Sequence, residues 1–243
     1  MKLEIAPRII LRWSNGFYIT ETAIWAVIVA VFLIIMALVA TRNLKRDPKG
    51  LQGVAELIVE TVYKFVNDTM GKHCMAFAPY IGTLFLFLLF SSLLGLFGFR
   101  AATADMNFTF AMAILVFFLI QINSIRSKGI LGYLKHFAEP FPFMIPINIL
   151  EEITFPLSLG FRIFGNILAG VIIMGLFFNQ MGSVSASLFG SFGASVPVLQ
   201  AVIPLPLNAF FDIFEPGLQS FVFSMLTMSF IAKAITVHGE HEH

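Results

Sequence analysis

Two stretches in the C-terminal half carry polar side chains at helical spacing inside otherwise apolar sequence. In the first, Asn148, Glu151, Thr154, Ser158, Arg162 and Asn166 recur every three or four residues, with Glu152 beside Glu151. At about 100° per residue the six fall within roughly a 120° arc, ignoring any phase slip at Pro156. In the second, Asn208, Asp212, Glu215 and Gln219 keep within an arc of about 60°. Each helix therefore has one wet face. Carboxylates can take up and release a small cation, amides and hydroxyls can relay it, and a permanently charged guanidinium repels it while attracting an anion. The chemistry this suits is passage of a proton or small cation along a hydrated path.

Pairing between the two helices is the simpler use of such residues. It is a weak justification by itself, because an ionisable group near mid-bilayer costs about 2.5–3.5 kcal/mol and an interhelical hydrogen bond returns only about 1 kcal/mol. Gly160, Gly165, Ala169 and Gly170 surround Arg162 and would let another helix come close. Arg162 is thus expected to face a partner.

The elements that must hold these faces are membrane helices. Of the 243 residues, 58% are hydrophobic and 12% charged, against about 45–50% and ~25% for a soluble domain. The apolar residues lie in runs long enough to cross a bilayer. The fold class expected is an all-α integral membrane protein forming one membrane domain, with about five crossings: 20–41, 75–99, 106–122, 147–178 and 197–234. Thr20 and Glu21 suit the start of the first helix. Residues 47–72 interleave charges with Leu57, Ile58, Val62, Phe65 and Val66, the pattern of an amphipathic helix at the membrane surface or a solvated one. Asn123 to Pro146 reads as a cationic loop, and Gly/Ser-rich 182–195 as an outer connection. As straight helices the last two segments would measure roughly 45–55 Å against a core of about 30 Å, so they must be strongly tilted or bent, packed as an antiparallel hairpin.

Positive charge at 42–49 and 126–135 places those loops in the cytoplasm, which puts the N-terminus outside and the C-terminus inside. The first nineteen residues lack the continuous apolar run of a cleaved signal, so the mature chain is expected to start near Met1. A net charge of +1 supplies no basic field for nucleic acid. The one cysteine, Cys74, reads as structural, and the tail His238-Gly-Glu-His-Glu-His243 as a short terminus rather than a metal site. No Gly-rich nucleotide loop is present, so ATP is not expected to bind and no cofactor is implied.

The run from Leu157 to Gly170, Leu-Ser-Leu-Gly-Phe-Arg-Ile-Phe-Gly-Asn-Ile-Leu-Ala-Gly, resembles the signature of subunit a of the F-type ATP synthase. Pro146-Ile-Asn-Ile-Leu-Glu-Glu152 upstream and Leu218-Gln-Ser-Phe-Val-Phe-Ser-Met-Leu-Thr227 downstream support it at similar separations, and the likeness covers most of the chain. The resemblance implies a bacterial plasma-membrane stator subunit that is not itself an enzyme. Arg162 would face the ion-binding carboxylates of a rotating c-subunit ring, with Asn166 and Gln219 as polar neighbours. The other implied partners are peripheral-stalk b subunits and, through the stalks, the ATPase head. Val171 stands where many members carry Glu, and Asp212 where members carry His or Glu.

On this reading Glu151 and Glu152 serve an inner half-channel and Asp212 an outer one, with Ser158, Asn208 and Glu215 as further residues of the ion path. Arg162 prevents a short circuit between the half-channels. The cargo is H+ or Na+, left open because the coordinating carboxylate lies on the ring. A cation-coupled secondary transporter is the main alternative, although no internal repeat is present. A non-transporting scaffold is another.

Overall fold

In the computed structural model, residues 9–12, 18–42, 50–138, 141–195 and 203–236 are described. The tail 238–243 and most of the cationic segment 42–49 lie outside them. Two short strands, β1 (Ile9–Arg12) and β2 (Tyr18–Thr20), pair antiparallel ahead of the first helix. Sequence patterning did not anticipate this hairpin.

Helix α1 (Glu21–Thr41) begins as expected: the Thr20 hydroxyl accepts from the Ala23 N–H at 3.3 Å, and Glu21 lies in the first turn. Its apolar side chains are mostly exposed, Val27, Ile34 and Leu38 among them, as suits a lipid-facing helix. One polar bond fixes its start, Thr22 Oγ1 donating to Asp105 Oδ2 at 2.6 Å. Helix α2 (Leu51–Met70) is amphipathic and folds back onto the bundle. Val62 sits against Gly82, Phe65 stacks on Phe221 at 5.1 Å, and Val66 and Met70 are buried.

Helix α3 (Ala78–Leu93) is flanked by 3-10 turns at Lys72–Phe77 and Leu94–Phe97. A short connection, closed by the Ser92–Thr103 hydroxyl pair at 3.0 Å, leads to α4 (Met106–Phe137). This is the hairpin expected from the sequence. Cys74 is buried in the core without a disulfide, together with Ile81 and Leu88 of α3, Val116 of α4, and side chains of the last two long helices.

Two expectations change. The loop expected at Asn123 to Pro146 is helical as far as Phe137, broken only at Gly129, where φ is 71° and ψ 165°. The charges misled because this part of the helix also carries inward-facing polar residues: Ser124 is buried and Ser127 Oγ donates to the Ile235 carbonyl. The expected connection at 182–195 belongs to α5 (Ile145–Ser195), whose serines return their hydroxyls to the helix, Ser183 to the Asn179 carbonyl and Ser187 to that of Val184. Pro156 lies inside α5 without dividing it. The last segment comprises α6 (Pro204–Ala209), a π-turn (Phe210–Phe214) and α7 (Glu215–Thr236).

Among the described residues, five helices are long and apolar enough to cross a membrane. The fourth has 44 residues in its candidate span, about 66 Å at 1.5 Å per residue, twice the hydrocarbon thickness. Such a helix is long enough to cross steeply tilted or to extend beyond the hydrocarbon.

Candidate ion path

The polar faces of α5 and the last segment meet in antiparallel register, set by a ladder of contacts. Glu151 Oε1 lies 3.5 Å from Lys233 Nζ, and the Phe155 and Phe230 ring centroids are 3.8 Å apart. Asn166 Nδ2 donates to Gln219 Oε1 at 2.9 Å, and Phe211 packs so closely on Gly170 that a Cβ there would come within 2.9 Å of its ring. Proceeding along one helix retreats along the other. The Glu151–Lys233 pair is solvent-exposed and contributes little stability. The ring packing, the glycine contact and the amide bond hold the register instead.

Two separate hollows flank this ladder. The larger, about 980 Å³, is lined by Glu21 and Arg100 from the first half of the chain and by Asn166, Asn208, Asp212 and Glu215 from the second. It lies at the end where α1 starts and α3 connects to α4. Val171 and Phe211 also form its wall, so an apolar side chain stands where the family resemblance leads one to expect a Glu. The π-turn carries Asp212 into this wall; π-turns are rare and concentrate at functional positions. Glu215 Oε1 and the nearby Gln219 Nε2 are buried with no hydrogen-bond partner among the described residues. Polar atoms in that state call for water or a passing ion.

The second hollow, about 410 Å³, opens toward the other end and is lined by Glu151, Thr154, Ser158 and Arg162, closed by Leu226 and Phe230. A smaller cavity of about 170 Å³ adjoins it, sharing Glu151, Phe155 and Phe230 and adding Glu152, Lys128 and Lys233. Neither shares a lining residue with the large one. The change from one to the other falls between Arg162 and Asn166, one helical turn or about 6 Å of rise.

Arg162 is exposed on this chain and has no hydrogen-bond or ion-pair partner among the described residues. It does not tie the helices together; Asn166 and Gln219 do that. Around it the small residues divide. Gly160 and Gly170 approach Phe110 and Phe211 of this chain, whereas Gly165 has nothing within 4 Å and Ala169 is exposed beside it. The outward strip of Arg162, Gly165, Asn166 and Ala169 is therefore flat and carries one unpaired cation.

Of the nine expected site residues, Glu152 lines the small adjoining cavity, and the other eight fall on the two hollows or on the bridge between them. Sequence reasoning did not single out Gln121, Tyr133, Lys128 and Lys233 at the Glu152 end, nor Glu21 and Arg100 at the Asp212 end. Gln121 did carry a signal, as an amide within an apolar run. Among the described residues no group of His, Cys, Asp and Glu has the arrangement of a metal site.

The fold and these hollows define a polytopic helical membrane protein with polar openings from two ends that do not join. The family model for the ATP synthase A chain matches residues 23–232. The sodium ion specific ATP synthase subunit a of Propionigenium modestum is 35% identical over 240 residues, covering 90% of this chain and 75% of the relative. ATP synthase subunit a of Moorella thermoacetica is 32% identical over 223 residues, covering 91% and 92%. The chain belongs to the ATP synthase A chain family, and so to the ion-translocating membrane sector of that complex.

Proposed function

We propose that this chain is the stator subunit of a rotary ATP synthase and supplies two offset half-channels to a ring of c subunits. The observation that carries the reading is Arg162, a guanidinium without a partner among the described residues, on the wall of one hollow and one helical turn from Asn166 on another that shares no lining residue with it. An unpaired charge of this kind needs an anionic partner from outside. The carboxylates of the ring provide it.

Ions enter from outside through the cavity of Asn208, Asp212 and Glu215 and pass Asn166 to a ring carboxylate. A carboxylate that reaches Arg162 must first give up its ion, because the guanidinium stabilises the anion and repels a second cation. Ions released on the other side leave along Ser158, Glu151 and Glu152. Only rotation connects the two sides, and ion flow becomes torque. The ring carboxylate selects H+ or Na+. The chain sits in the plasma membrane with its N-terminus outside and C-terminus cytoplasmic, held by peripheral-stalk b subunits and coupled through the stalks to the ATPase head.

Isolation of the tagged chain from mild detergent tests this. It is expected to bring down a small-subunit ring and an ATPase head, and the reconstituted complex should take up cations on ATP addition. A chain that purifies alone and transports a solute into liposomes would contradict the proposal and favour a secondary transporter.

A further inference from the structure

The inner end contains a hydrogen-bond chain that the two polar faces do not account for. Gln121 Nε2 donates to Glu152 Oε2 at 2.6 Å, and the Tyr133 hydroxyl donates to Gln121 Oε1 at 2.7 Å. Gln121 and Tyr133 both belong to α4, twelve positions apart. On a straight helix they would stand about 18 Å from each other. They meet because Gly129 reverses the chain, at a φ of 71° and ψ of 165° that is essentially open to glycine alone. A Cβ at Gly129 would touch nothing within 4 Å, so backbone conformation alone restricts that position. The returning turn is anchored: Asn148 Nδ2 donates to the Phe137 carbonyl at 2.9 Å, and the Tyr133 and Phe137 rings meet edge to face at 5.1 Å. With Oε2 held by the amide, Glu152 Oε1 has no hydrogen-bond partner among the described residues. Glu152 lines the small inner cavity with Glu151, Lys128 and Lys233.

We infer that Gln121 and Tyr133 are positioning residues for ion release: across the Gly129 reversal they clamp one oxygen of Glu152 and leave the other aimed into the inner cavity. Glu151, paired with the exposed Lys233, is the less constrained of the two carboxylates. Glu152 is then the carboxylate that meets the ion. The inference rests on the inner half-channel proposed above, and its failure can be told apart from failure of that reading.

The test uses the whole complex in inverted membrane vesicles, with ATP-driven uptake fed from the cytoplasmic side and ATP synthesis fed from the other. Tyr133→Phe keeps the ring and removes the donor. It is expected to slow uptake roughly 2- to 10-fold, the effect of one hydrogen bond, and to raise the half-saturating ion concentration on the cytoplasmic side only. Gln121→Met, near in volume, should do at least as much. In a Glu152→Gln background Tyr133→Phe should add nothing, since both changes act on one interaction. Wild-type uptake in Tyr133→Phe and Gln121→Met with impaired Glu152→Gln overturns the clamp and leaves the half-channel reading intact. Additive losses in the double variant also overturn it, because Tyr133 would then act on stability alone. Unimpaired Glu152→Gln removes Glu152 from the path and overturns the clamp, leaving Glu151 as the inner carboxylate.

Discussion

Arg162→Ala should leave the complex assembled and abolish coupled ion transport. The side chain is exposed and has no hydrogen-bond or ion-pair partner among the described residues, so its removal takes away no polar contact seen to hold α5 to the last segment. What it removes is the proposed pairing with ring carboxylates. Breaking a buried pair of that kind costs about 3–5 kcal/mol, or roughly 100- to several-thousand-fold in rate. ATP synthesis in reconstituted vesicles should fall by that range, while passive ion flow through the membrane sector stripped of its ATPase head persists or rises. Arg162→Lys should also fail to couple, since an ammonium lacks the planar fork and can lose its proton. If the arginine only joined helices, yield and stability would fall instead and no leak would appear. Coupled synthesis at the wild-type rate in an assembled Arg162→Ala complex would refute the mechanism.

Asp212→Asn is expected to give the next largest loss, on the outer side. Asp212 is half-buried in the wall of the large hollow with Asn208 and Glu215, and the π-turn fixes its direction. The substitution keeps shape and removes charge. A cation 4 Å from a carboxylate gains about 4 kcal/mol at an effective dielectric constant of 20. Even with most of that screened by water, ion-driven ATP synthesis should drop about 10-fold or more. Assembly and ATP hydrolysis by the head should be unaffected. Synthesis and pumping at wild-type rates would take Asp212 out of the path and leave Glu215 as the outer carboxylate.

Both variants concern residues that were legible in the sequence, and the reason is physical. Lipid tolerates few polar groups, so a recurrence such as Asn208, Asp212, Glu215 and Gln219 stands out against apolar neighbours and reports a shared face. Span number was legible for the same reason. Loop boundaries were not, because charge marks the end of the apolar stretch rather than the end of the helix. The lysines and arginine at 126–135 therefore concealed helical sequence as far as Phe137. The serines near 183–187 looked like a loop, yet they bond to their own helix. Tyr133 left no trace at all. Its role depends on one positive φ at Gly129 that brings distant positions together, and spacing on a regular helix points away from that contact.

The claim that Arg162 divides two half-channels opening to opposite sides is tested most directly by sided thiol labelling. Asn208 lines the large hollow, proposed to open outside, and Ser158 the one of about 410 Å³, proposed to open to the cytoplasm. Cys74, the one native thiol, is fully buried and should stay silent. An impermeant maleimide added to right-side-out vesicles should modify Asn208→Cys and spare Ser158→Cys, and in inverted vesicles the pattern should reverse. Modification of both positions from the same side would contradict the account.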